Sequence, residues 1–415
     1  MTAAAVLFLP CAAGVEPLLA DEVRRITALD ERDIETLRGG VRVHGDLRVA
    51  MQLNLHSRLA QRVLLELVWG PYHDEQDLYD MARSVPWEEW ITPRQTLRVD
   101  STAQRSPLRS LNFANLRIKD AVCDVMREHA GERPSVDTRF PDLPLALHLG
   151  PEQAMLYVDL SGEALFKRGW REVQGEAPLK ETLAAAMLAA AGWQGLEGDA
   201  PLLDPCCGAG TIAIEAAQLA CGVAPGSLRR FAFERLGPFH ELLPQWRELQ
   251  QAARAAVHAP KVEVFAGDVA FRMTDFATRN AERAGVAHAI QFKTADALQR
   301  PAPADAGVLM LNPPYGERLA PKGQGQAPAA ARESFEGGGS SSAFFSGLAS
   351  HWKRQYAGWT AWVLTPDMKL PSLMRLKESR RVPMWNGPIE CRLFRFDLVA
   401  GSARREADAN PPSGE

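Results

Sequence analysis

Two stretches of the chain carry residues whose types and order could do chemistry. In Leu202-Leu203-Asp204-Pro205-Cys206-Cys207-Gly208-Ala209-Gly210-Thr211 an apolar run ends in an acid and two glycines follow. Thr211-Ile212-Ala213-Ile214-Glu215-Ala216-Ala217 then continues with helical periodicity. The pattern reads as a buried strand, a turn in which glycine lets backbone approach a ligand, and a helix start. A carboxylate at that strand tip would repel a pyrophosphate seated on the helix N-terminus and attract the ammonium of a methionine-like group. S-adenosylmethionine therefore fits the stretch better than a dinucleotide does. Asp204, Pro205, Cys206, Gly208, Ala209, Gly210 and Thr211 are the expected contacts. The bland alternative is a glycine turn of purely structural use.

The second stretch, Val308-Leu309-Met310-Leu311-Asn312-Pro313-Pro314-Tyr315, is another buried strand stopped abruptly by two prolines, which cannot donate to a ladder and which fix φ. Such an end holds acceptors still. The Asn312 side-chain oxygen and the Pro313 carbonyl could each accept one N–H of an exocyclic amine, aiming the nitrogen lone pair at a methyl sulfonium. Pro314 stiffens the turn and Tyr315 could stack on a flipped base. Otherwise this is a proline-rich turn with a surface tyrosine.

These residues need a sheet to hold them. Val262 to Asp268 reads as the next strand, and its terminal acid could accept hydrogen bonds from a ribose diol. Ile290 to Lys293 reads as a third strand, with Asp296 after it placed to accept from an adenine amine; Asn312 would complete the donor's surroundings. Strand-end acids also serve as helix caps. Pro178-Leu179-Lys180 opens an alanine-rich helix over 181–191, stopped by Gly192. Downstream, 344–356 reads as a helix, 359–364 as a strand, and 380–385 with 391–397 as an antiparallel pair joined at Asn386-Gly387.

The two stretches together resemble the THUMP-domain class I RNA methyltransferases, and within them the enzymes that methylate guanine N2 in bacterial 23S rRNA. Further segments agree: Phe8-Leu9-Pro10-Cys11-Ala12-Ala13-Gly14-Val15-Glu16, Asp159 to Arg171, Ala177-Pro178-Leu179-Lys180-Glu181, and Asn386-Gly387-Pro388-Ile389-Glu390-Cys391-Arg392-Leu393. The resemblance implies an α/β chain whose Rossmann-like methyltransferase domain, a mainly parallel sheet with a C-terminal antiparallel hairpin, follows an α+β RNA-binding region. It implies a ferredoxin-like unit at 1–48, a THUMP domain at 49–157, a connecting segment at 158–177 and the methyltransferase domain at 178–400. A flexible insertion at 322–342, either a lid or a tolerated surface loop, and a disordered tail at 401–415 complete the expectation. The family often carries a second acid two residues beyond the ribose acid. Here that position is Ala270, which leaves the diol to Asp268.

The chain has 415 residues, enough for two or three domains, and is 46% apolar and 24% charged. Its net charge of −4 does not advertise nucleic-acid binding, so an RNA partner must meet a local basic surface. The basic residues of 92–119 supply one: Arg94, Arg98, Arg105, Arg109, Arg117 and Lys119 stand against the single acid Asp100 across 94–119. Lys167, Arg168 and Arg171 make a second basic point beside Trp170, which either stacks a base or fills a domain junction. Arg58 and Arg62, four apart, read as a solvated face.

Six cysteines show no metal or disulfide spacing, so no metal is expected and reduced thiols suit a cytoplasmic chain. No apolar run nears the roughly 20 residues of a membrane span. Asn-Pro-Pro-Tyr chemistry serves any exocyclic amine, which leaves a tRNA guanine-N2 enzyme, a DNA adenine-N6 enzyme and an inactive RNA-binding assembly factor as competing readings. Oligomeric state is not legible.

Overall fold

A computed structural model describes residues 4–172, 179–313 and 341–399. The first part contains strands β1 (Ala4–Pro10), β2 (Ile34–Leu37), β3 (Gly40–Asp46), β4 (Leu64–Pro71), β5 (Thr96–Ala103), β6 (Ser135–Val136), β7 (Leu143–Leu149) and β8 (Gln153–Asp159), with helices α1 (Glu16–Thr27), α2 (Leu47–His56), α3 (Glu75–Arg83) and α4 (Leu111–Ala130). Strand alternation sets which side chains reach the core: Leu7 and Leu9 of β1 are fully buried while their neighbours are not. Ser110 caps α4 by accepting from the Phe113 N–H, and Gly131 ends it with φ 76°.

These strands form one eight-stranded sheet in the order β2-β3-β1-β4-β8-β7-β5-β6. Its halves join through β1 and β4, which pair at Leu7 with Leu65 and Phe8 with Leu64. The expected ferredoxin-like and THUMP units therefore share a sheet. Helix α2, which runs through position 48, packs against α1 and β3.

The second part contains β9 (Leu202–Asp204), β10 (Val264–Asp268), β11 (Ile290–Thr294), β12 (Val308–Leu311), β13 (Thr360–Thr365), β14 (Arg380–Asn386) and β15 (Ile389–Asp397). Its helices are α5 (Glu181–Ala191), α6 (Thr211–Ala220), α7 (Leu243–Ala255), α8 (Phe271–Arg283), α9 (Ser341–Gln355) and α10 (Leu370–Met374). The sheet order is β11-β10-β9-β12-β13-β15-β14, parallel through β13 and antiparallel at β15 and β14. Leu202 and Leu203 belong to apolar cores on opposite faces, so helices cover both sides, as a parallel sheet requires. The expected α/β class, mainly parallel sheet and terminal hairpin are all present. Ser341 and Ser342, expected in the insertion, open α9 instead.

The two parts are clamped by buried charge. Glu215, fully buried on α6, pairs with Arg58 Nη1 at 3.1 Å and Arg168 Nε at 3.0 Å, and Arg168 Nη2 also donates to the Arg58 carbonyl at 2.7 Å. Arg58 is thus not on a solvated face; Arg62, only partly exposed, pairs with Asp159. Removing one member of a buried ion cluster strands its partners in low dielectric. Glu215→Ala is therefore expected to lower stability by about 3–5 kcal/mol in urea unfolding, and a loss within about 1 kcal/mol would contradict the clamp.

Candidate active site

The direction of the strands brings the two chemical stretches together. β9 and β12 are parallel neighbours, with Val308 beside Leu202 and Leu309 beside Leu203. Asp204 ends β9 and Asn312 follows the last residue of β12, so both leave the sheet at its carboxyl edge. The order reverses between these strands, with β10 and β11 on one side and β13 on the other. A crevice opens at such a switch point, where α/β sheets hold ligands. Asp268 ends β10, and Asp296 follows β11 on the same edge. Pro313 is buried and Asn312 half-buried. Pro314 and Tyr315, with the glycine-rich segment through 340 and the tail from 400, lie outside the described residues.

Asp204 is the electrostatic centre. It is 1% exposed and accepts from the Cys206 N–H at 3.3 Å. Burial, with the neighbouring Asp268 carboxylate adding to it, pushes the carboxyl up to about 8, only partly opposed by the Cys206 N–H and, less, by Arg300. A carboxylate so short of positive charge suits an ammonium ligand. Asp268 accepts from Gly208 N–H and Ala270 N–H, each at 3.0 Å, and burial raises its carboxyl as well. Each oxygen keeps a lone pair free of those bonds, enough for a diol. Asp296 accepts from the Leu298 N–H at 2.9 Å and so also closes its own turn. Cys206 and Cys207 are held well above the ordinary thiol range by burial, which keeps them inert.

The glycine turn shows why its residues are small. Gly208 has φ 50° and Gly210 φ 87°. A Cβ on Gly210 would stand 3.0 Å from that of Ala277 on α8, whereas one on Gly208 would meet only the Met273 methyl at 3.9 Å. The first glycine thus fronts open space for a ligand, and the second lets α8 pack. Sequence reasoning missed the braces: Asn280 Nδ2 donates to the Ala209 carbonyl at 3.0 Å, and buried Arg300 donates to the Ala266 carbonyl at 2.9 Å. A sequence signal for Asn280 existed, an amide on the apolar face of α8.

The basic residues do not form one surface. Strand β5, eight residues and so about 25 Å long, separates Arg94 from Arg105 and Arg109. Those three are exposed, and none has an ion pair among the described residues. Arg98 is paired with Asp100 and donates to the Thr138 carbonyl; Arg117 donates to Gln76 and lies 4.3 Å over the Tyr79 ring; Lys119 pairs with Asp120. Lys167 is exposed and pairs with Glu163. Two expectations are corrected outright. Arg168 is 2% exposed and spent on Glu215, and Arg171, its side chain 9% exposed, is spent on Glu181 and Thr211. Trp170 is fully buried, so the junction reading of that tryptophan holds.

Comparison with known proteins follows the same order along the chain. Residues 6–64 match the family described as RlmL ferredoxin-like domain, 72–159 the THUMP domain, and 168–328 the RMKL-like methyltransferase domain. The chain therefore carries a THUMP domain followed by an RMKL-like methyltransferase domain. A curated relative, "Ribosomal RNA large subunit methyltransferase K/L" of Psychromonas ingrahamii, is 36% identical over 398 residues, 94% of this chain and 50% of the relative. Its namesake in Aeromonas salmonicida is 35% identical over 97% of this chain and 55% of its own length. The chain thus spans about half the length of the curated relatives it matches. Among solved structures, SMU.472, described as a methyltransferase complexed with SAH, shares the fold with TM-score 0.81 at 24% identity, over 97% of this chain and 100% of that one. A predicted N6-adenine-specific DNA methylase from Listeria monocytogenes aligns with TM-score 0.80 at 26% identity, over 95% and 96% of the two chains.

Proposed function

We propose that the chain transfers a methyl group from S-adenosylmethionine to the exocyclic N2 of a guanine in large-subunit ribosomal RNA, in the cytoplasm. The single observation that carries the chemistry is that Asp204 and Asn312 stand at the carboxyl ends of adjacent parallel strands. The names of the curated relatives support ribosomal RNA as the substrate. No helix among the described residues is long and apolar enough to cross a membrane.

The residues fit the donor. Asp204 takes its ammonium, the turn at Gly208, Ala209 and Gly210 admits its amino-acid portion, Asp268 takes the ribose diol and Asp296 the adenine amine. When bound, S-adenosylmethionine supplies a methyl on a sulfonium leaving group. Asn312 and the Pro313 carbonyl accept the two N–H groups of the guanine amine, which holds its lone pair in line and offsets the charge that nitrogen gains. A nitrogen–carbon bond forms, the carbon–sulfur bond breaks with its electron pair going to sulfur, and the proton leaves nitrogen for water. No strong base is needed, because a cationic amine is already acidic.

A DNA adenine-N6 reading is kept as second because of the Listeria structure's description. The test is to incubate the purified chain and labelled donor with deproteinised large-subunit RNA, tRNA or DNA, and then digest to nucleosides. Labelled N2-methylguanosine from the ribosomal RNA is expected. Label in N6-methyladenine of DNA, or in no nucleoside, would overturn the substrate.

Arg105 and Arg109, exposed and without ion pairs among the described residues, are phosphate contacts of the THUMP domain. Changing both to Gln should weaken RNA binding and reduce the slope of log K against log salt by roughly 1–2. An unaltered slope would remove them from the RNA interface.

A further inference from the structure

Behind the glycine turn lies a hydrogen-bond relay that the proposed chemistry does not use. Arg171 Nε donates to Glu181 Oε1 at 2.8 Å, its Nη2 donates to Thr211 Oγ1 at 2.7 Å, and its Nη1 is buried without a hydrogen-bond partner among the described residues. Guanidinium has no acceptor, so the Thr211 oxygen must be the acceptor in their bond, and the hydroxyl proton must point elsewhere. Thr211 is 5% exposed, and among the described residues nothing accepts that proton. It is also the first residue of α6, whose N-terminus follows Gly210 with no side-chain cap. Three kinds of donor without a partner among the described residues thus belong to this relay: a buried hydroxyl, a buried guanidinium N–H, and the first amides of a helix. Leaving buried donors unsatisfied is costly unless a ligand completes them. Glu181 cancels the full charge of Arg171, so the place suits a monoanion rather than a phosphate.

We propose that Arg171, anchored by Glu181, is a positioning residue that turns the Thr211 hydroxyl toward the glycine turn as a donor to the carboxylate of the methyl donor's methionine portion. This rests on the donor reading of the turn. It divides recognition of the amino-acid end: Asp204 takes the ammonium and the Arg171-Thr211 relay takes the carboxylate. It also explains why a basic residue of the connecting segment is buried against α6 instead of facing RNA.

The test compares two ligands by calorimetry on the full chain: S-adenosylhomocysteine, and 5′-methylthioadenosine, which lacks the amino-acid end. Arg171→Gln and Thr211→Val should each weaken S-adenosylhomocysteine by about tenfold or more while leaving 5′-methylthioadenosine within about twofold. Thr211→Val, nearly isosteric, decides the matter if Arg171→Gln does not fold. Unchanged S-adenosylhomocysteine affinity, or equal losses for both ligands, would overturn the relay. Failure of the unaltered chain to bind S-adenosylhomocysteine would instead overturn the donor reading, and the relay with it.

Discussion

Asp204→Asn is expected to stabilise the ligand-free protein at pH 8 while weakening donor binding by about two to three orders of magnitude. Both effects come from one buried carboxyl held at about 8. An unfolded Asp titrates near 3.9, so between about pH 4 and 8 the folded state holds a proton that the unfolded state has released. This contribution is fully present below pH 4 and is lost as pH rises through 8, at up to about 1.4 kcal/mol per pH unit. Asn cannot ionise and escapes that loss. Thermal melts of the two proteins should therefore lie closest in acid and diverge by several degrees at pH 8, with the variant higher. Donor affinity of the unaltered chain should climb with pH toward 8, because an ammonium needs the carboxylate; in the variant it should be weak and flat. A variant that melts lower at pH 8, or that keeps the donor, would contradict this role for Asp204.

Asn312→Ala is expected to cost about 10²–10³ in kcat while changing donor affinity by less than about tenfold. The amide oxygen acts on the attacking amine, whose nitrogen becomes cationic only as the methyl moves, so its contribution is larger in the transition state than in the bound complex. Single-turnover rates with saturating donor and RNA measure this directly. An equal loss in donor affinity with no loss in rate would make Asn312 a wall of the donor site and nothing more.

What was legible in the chain was local. The acid at the end of Leu202-Leu203, the glycines after it and the prolines closing Val308 to Leu311 each mark a strand end within a few residues, and parallel pairing then places them on one edge. The hairpin at Asn386-Gly387 was equally plain. What was not legible was who faces whom across long separations. Arg58 meets Glu215 from 157 residues away, and Asn280 reaches Ala209 from 71. Arg168 and Arg171 were misread because arginines beside a tryptophan suit an RNA surface as well as a buried junction. One signal pointed the other way: Glu215 is the only charge in α6, and a lone acid on a helix so largely buried requires a buried cation. The basic stretch was misjudged for a geometric reason, since β5 runs through it and carries Arg94 away from Arg105.

The central claim is that the edge holding Asp204 and Asn312 methylates a guanine of ribosomal RNA. It is tested most directly by the nucleosides of large-subunit RNA from cells lacking this chain, complemented with the unaltered or the Asn312→Ala chain. The account predicts one N2-methylguanosine lost on deletion, restored by the first and not by the second. Restoration by both, or no loss at all, would contradict it.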